Sequence, residues 1–113
     1  MFKNQHIAIV TGNGLLALGL ETLLGEYASP ASTLHFATAQ ALRESPLHFA
    51  LAFIDGDIYA AHAHSIGVKN KILLLPAAPE EGAESLLPSL YLRCGQQQLA
   101  AQLELLLPAF GKY

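Results

Sequence analysis

A chain of 113 residues is long enough for one hydrophobic core and too short for two. Apolar residues make up 52% and charged residues 13%, against about 25% charged in an average soluble domain, so part of the surface is expected to lie under a partner, either a second copy or a neighbouring domain. Net charge is −3 with six scattered basic residues, which leaves no basic stripe for direct nucleic-acid binding.

No apolar run reaches the roughly 18 residues of a membrane helix, and the polar start from Met1 to His6 has no signal-peptide pattern. The one cysteine, Cys94, excludes an internal disulfide. A cytoplasmic setting without membrane attachment is expected, with residues 1–113 forming a single domain.

Short apolar runs alternate with helix-like segments along the chain. His6 to Val10 reads as a buried strand, broken by Thr11-Gly12-Asn13-Gly14. Leu16, Leu20, Leu23 and Leu24 then recur at helical spacing, with Gly25 and Ser29-Pro30 closing that helix. Thr33 to Ala37 is a short second strand, and Thr38 caps a helix over Ala39 to Glu44. Phe49 to Ile54 is a continuous apolar strand ending at Asp55, and Asp55 with Asp57 is expected to begin a solvated loop. The stretch around Tyr59 to His64 has room for a short third helix only. Ile72 to Leu75 is a fourth strand ending at Pro76. Between Ala77 and Pro88 a helix of one or two turns is expected around Glu80 to Leu87. Ser89 to Leu92 is a fifth strand, and Leu99, Leu103, Leu106 and Leu107 mark a last helix stopped by Pro108.

Strands that are apolar throughout are buried on both faces, and strands alternating with helices imply right-handed crossovers. The expected fold is therefore α/β: a flavodoxin-like, doubly wound, five-stranded parallel sheet of order 2-1-3-4-5, with reduced third and fourth helices. Sites in such folds lie beyond the carboxyl ends of the strands. Those ends carry Thr11, Gly12, Asp55, Pro76, Ala77 and Arg93.

Three stretches, in this order and spacing, resemble the receiver domains of bacterial two-component response regulators, above all those of LuxR/NarL-type transcription factors. They are the first helix Leu15-Leu16-Ala17-Leu18-Gly19-Leu20-Glu21-Thr22-Leu23-Leu24, the strand end Phe53-Ile54-Asp55, and Leu90-Tyr91-Leu92-Arg93. The resemblance implies that Asp55 occupies the phospho-acceptor position. It also implies that Thr11 and Gly12 stand where receivers carry an acidic pair, Pro76 where they carry a Ser or Thr switch residue, and Arg93 where they carry a lysine.

These departures matter more than the matches. Magnesium needs hard oxygen ligands, and one carboxylate beside a neutral hydroxyl binds it poorly. Without the ion the charge of a transferring phosphoryl group is not offset. Pro76 has no donor for a phosphoryl oxygen, and Arg93 replaces a compact ammonium with a planar fork. Asp57 offers a second carboxylate nearby, but the plainer reading pairs Asp55 with Arg93.

Other signals are weaker. Gly12-Asn13-Gly14-Leu15-Leu16-Ala17 fits the G-x-G-x-x-G/A dinucleotide pattern, yet no acidic residue follows the second strand to hold a ribose, and the chain is too short for a second mononucleotide half. His62 and His64 would share a face only on a strand, and no third ligand has a fitting spacing. Cys94 lies beside Arg93 without a histidine base in sequence, and reads as a semi-buried thiol. Sugar-transport phosphocarriers share a strand–loop–helix start but need a cysteine in the first loop, which is missing here. The leucine stripes are core faces, while Leu15, Leu18, Tyr91 and Leu105 are left for an exposed apolar patch of the kind that marks interfaces.

The expectation is a phosphorylation-independent receiver-like interaction domain that is not an enzyme and carries no cofactor or metal. Its partner would be a protein (a sensor kinase, a regulator or a sister domain), reached as a homodimer or as part of a larger chain. The alternatives are a working receiver phosphorylated on Asp55 and a nucleotide- or flavin-binding domain using Gly12 and Gly14.

Overall fold

His6–Val10 (β1) and Phe49–Asp55 (β3) are the two strands with the most buried residues, four each, and they run side by side through the middle of the sheet. A computed structural model describes residues 4–28, 30, 32–77 and 87–109. Ser32–Phe36 (β2) pairs with the outer side of β1, Lys71–Leu75 (β4) with β3, and Ser89–Tyr91 (β5) with β4. All pairs are parallel and the order is β2-β1-β3-β4-β5, as the alternation of strands and helices implies. The fold is thus the flavodoxin-like α/β arrangement.

Alternate residues of the central strands feed two cores, because successive side chains point to opposite faces. On one face Ile7, Ile9, Leu51, Phe53, Ile72, Leu74 and Leu90 meet Gly14–Tyr27 (α1) through Ala17, Leu20, Leu23 and Leu24. Gln96–Leu106 (α4) adds Leu103, and the 3₁₀ turn Leu107–Ala109 adds Leu107. Each fully buried leucine contributes about 1.5–3 kcal/mol relative to an exposed one, so this face carries most of the burial energy.

The other face is built from smaller residues: Ala8, Val10, Ala52 and Ile54, covered by Ala39 and Leu42 of Ala39–Glu44 (α2) and by Ile66. Alanines at Ala8 and Ala52 leave room for the rings of Phe36 and Phe49, which meet edge to face with centroids 5.7 Å apart and planes at 83°. Gly56–His62 (α3) is seven residues long and buries none fully, and one 3₁₀ turn, Ala63–Ser65, follows it. The third helix is therefore reduced, as expected. The helix expected around Glu80 to Leu87 falls almost entirely outside the described residues.

Several boundaries differ from the sequence reading. α1 runs past Gly25 to Tyr27 and is capped at Ala28, whose N–H donates to the Leu24 carbonyl at 2.9 Å. A glycine inside a helix costs only about 1 kcal/mol, and burying Leu24 and Ala28 outweighs that. β2 starts and ends one residue earlier than expected, at Ser32 and Phe36, where the Ser32 hydroxyl meets His6 Nδ1 at 2.6 Å across the pair. Asp55 and Asp57 do not begin a loop: β3 passes directly into α3, with Asp55 at the helix cap and Asp57 in its first turn. β5 ends at Tyr91 rather than Leu92, although the Leu92 N–H still donates to the Leu75 carbonyl at 2.9 Å.

Candidate functional site at the carboxyl rim of the sheet

The rim begins at Thr11, the residue after β1, which is fully buried. Its backbone is fixed from β2: the Thr11 N–H donates to the Phe36 carbonyl at 3.0 Å, and His35 Nε2 donates to the Thr11 carbonyl at 2.7 Å. A carbonyl can only accept, so the ring proton of His35 sits on Nε2. The Thr11 side chain is used in both directions. Its hydroxyl donates to Asp55 Oδ2 at 3.0 Å and accepts the Asn13 N–H at 3.1 Å.

Asn13 in turn caps α1. Its side-chain oxygen accepts the Leu16 N–H at 3.1 Å, and its carbonyl accepts the Ala17 N–H at 3.1 Å. A continuous hydrogen-bonded line thus runs from the β3 carboxylate through Thr11 and Asn13 into the first turn of α1. The Asn13 side chain thus occupies the Leu16 N–H, one of the first-turn donors that an anion would use. Gly12 and Gly14 have open space where a Cβ would stand, and neither has positive φ, so neither local packing nor backbone geometry demands glycine there.

At the next strand ends, Gly56 lies close against β4, where an added Cβ would have to move a leucine methyl aside. A Cβ on it would lie 2.8 Å from Leu75 Cδ2 and 3.4 Å from the Leu74 carbonyl oxygen, so the β3–α3 turn presses on the end of β4. Pro76 follows β4 on the surface, and Ala77 beyond it accepts the Arg93 N–H at 3.1 Å. The segments carrying Pro76 and Arg93 are therefore tied together by backbone, and the Arg93 side chain is exposed. The partner found for the Asp55 carboxylate among the described residues is Thr11, not the Arg93 guanidinium.

As a metal site this set is weak. Among the described residues Asp55 is the carboxylate joined to the Thr11 position, and one of its oxygens already accepts a hydroxyl. Asp57 lines a separate hollow of about 240 Å³ with Thr38, Ile58 and His62, between α2 and α3. Magnesium takes near-octahedral oxygen ligands, usually with one or two carboxylates, and a buried threonine engaged on both sides does not fit that demand. His62 ends α3 and His64 lies in the 3₁₀ turn after it, so the shared strand face on which two such imidazoles would converge is missing.

The four apolar residues read as one patch fall into two places. Leu15 and Leu18 are 83% and 62% exposed, and they flank a groove of about 540 Å³ between α1 and the start of α4, floored by Leu16, Leu20, Leu23 and Leu99. Leu105, 82% exposed, lines a smaller hollow of about 240 Å³ with Tyr91 and Gln102 at the β5 edge. Tyr91 itself is half-buried.

Sequence reasoning missed the residue that organises that edge. Gln102 Oε1 accepts the Tyr91 N–H at 2.8 Å, and Gln102 Nε2 donates to the Tyr91 carbonyl at 2.9 Å. The side-chain amide thus does for β5 what a sixth strand would do. The Cys94 thiol donates to the same carbonyl at 3.3 Å and receives Gln102 Nε2 at 3.5 Å, so it is a structural thiol. The available signal was an amide at helical spacing from Leu99, Leu105 and Leu106, on a largely apolar helix face. No protein-family model, no curated protein and no solved structure matches this chain, so the rim and the α1–α4 groove are what a functional reading rests on.

Proposed function

We propose that this chain is a receiver-like signalling domain whose output does not depend on phosphorylation, and which acts by binding a protein partner in a two-component or related pathway. The observation that carries the reading is the Thr11–Asp55 hydrogen bond. In a receiver built for phosphoryl transfer, the residues after the first strand supply carboxylates that hold a cation beside the acceptor. Here the matching residue is a buried hydroxyl that itself occupies the acceptor, and its neighbour is Gly12. The charge of an incoming phosphoryl group meets no cation at this position, and Pro76 brings no hydrogen-bond donor.

The binding surface is the α1–α4 groove with its two exposed leucines, Leu15 and Leu18. A sensor kinase, another regulator or a sister domain of a larger chain supplies the partner, in the cytoplasm. Incubation with acetyl phosphate and magnesium, followed by intact mass measurement, is expected to leave the mass unchanged. A stoichiometric gain of one phosphoryl group, lost in Asp55→Asn, would overturn the reading in favour of a working receiver. That second reading draws on one observation, the partial exposure of Asp55 at the end of a central strand.

A further inference from the structure

At the opposite rim of the sheet, away from Asp55, the chain builds a second concavity. It is a cavity of about 480 Å³ between the ends of α2 and α3 and the starts of β3 and β4, in the size range of small-molecule sites. Its polar side chains bring positive charge and no negative charge: Arg43 and Lys69 are fixed cations, His48 adds an imidazole, and the Ser65 hydroxyl is engaged by Arg43 and the His62 carbonyl. None of the described residues lining it is acidic, although the chain as a whole carries more acidic than basic residues. Its walls are apolar, with Leu42 buried and Phe49 and Val68 half-buried.

Arg43 is not a loose surface side chain. Its Nη1 donates to Ser65 Oγ, and Ser65 Oγ donates to the His62 carbonyl at 3.0 Å. That relay holds the guanidinium across the gap between α2 and the turn after α3. One of its five N–H donors is used, and the rest remain for a ligand. A planar, always-charged fork fixed in this way suits a carboxylate or phosphate, with Lys69 as a second point charge. The apolar wall offers nothing to a bare inorganic ion and favours a ligand with an apolar body.

We propose that this cavity binds a small organic anion, a phosphate or carboxylate carrying an aryl or acyl group, through Arg43 and Lys69, with the apolar part against Leu42, Phe49 and Val68. The site lies apart from the phospho-acceptor rim and stands whether or not that rim is active.

The test is a titration of the full chain with phenyl phosphate, benzoate, inorganic phosphate and phenol, followed by amide chemical shifts. Phenyl phosphate or benzoate is expected to saturate with shifts centred on Arg43, His48, Ser65 and Gly67–Lys69. Phenol and inorganic phosphate should each bind at least tenfold more weakly. Arg43→Gln and Lys69→Gln, both at exposed positions, should each weaken binding about tenfold while the rest of the spectrum stays native. Saturation by phenyl phosphate alone or by benzoate alone names the head group and supports the site. No saturable shift with either anion, shifts centred on the Asp55 rim, or unchanged affinity in both variants would overturn it.

Discussion

Thr11 is a threonine between strand and loop, an ordinary residue in sequence, yet in the folded chain every polar atom it has is engaged. Replacing it by valine keeps the shape and removes the hydroxyl. The Asn13 N–H then loses its acceptor and the Asp55 carboxylate its donor. Losing two part-buried hydrogen bonds, one of them to a carboxylate, costs about 1–3 kcal/mol, so Thr11→Val should lower the unfolding free energy by that amount, seen as a lower urea midpoint at unchanged slope. Thr11→Asp asks a different question. It sets a second carboxylate beside Asp55, where like charges repel. The variant is expected to melt below the native chain without metal and to regain stability in millimolar magnesium. The native chain should show no magnesium-dependent shift, because one carboxylate already engaged by the Thr11 hydroxyl binds the ion too weakly to favour the folded state.

At the scale of elements, α4 is set by two kinds of contact. Leu103 and Leu107 bury it against the sheet, while Gln102 grips the β5 edge at Tyr91. An edge strand exposes unpaired backbone groups, and a side-chain amide that meets both an N–H and a C=O closes that template. Gln102→Leu removes both bonds and leaves Tyr91 facing an apolar side chain. The variant should lose about 1–3 kcal/mol, and the Tyr91 amide should exchange with solvent much faster than the amides of β1 and β3. If Tyr91 exchange stays native in that variant, Gln102 does not hold the edge. In α1, Gly25 and Ser29-Pro30 were the expected stops, and the helix passes Gly25 to end at Tyr27, because burying Ala28 against the core offsets what the glycine costs.

On the whole-molecule scale the two cores are unequal. The α1–α4 side is lined by leucine, isoleucine and one phenylalanine, while the α2–α3 side is built around alanines with Phe36 and Phe49 filling the space. The leucine-rich side is also the one that presents exposed Leu15 and Leu18, since α1 is apolar on more than its inner face. Leu15→Glu combined with Leu18→Glu should therefore change stability by no more than about 0.5 kcal/mol per site, the usual range for exposed positions. The same pair should abolish binding in pairwise measurements against the sensor kinases and regulators of the same cell. Retained binding by the double variant would move the interface elsewhere.

Sequence periodicity by itself determined the sheet. Runs such as residues 7–10 and 49–54 are apolar because they are buried, and their alternation with leucine-striped helices implies right-handed crossovers and parallel strands. It also placed Thr11, Asp55, Pro76 and Arg93 at strand ends, since the end of a buried run is legible. Only the tertiary structure decided what those residues touch. Thr11 and Asp55 are 44 residues apart and meet because β1 and β3 pair in register, and His35 reaches Thr11 from β2. The separation of Leu15 and Leu18 from Tyr91 and Leu105 depends on how α4 packs, as do the Gln102 clamp and the Arg43–Ser65 relay. Local pattern reports whether a position is buried. Which partner it meets across the fold is fixed by strand register and helix packing, which bring distant parts of the chain together.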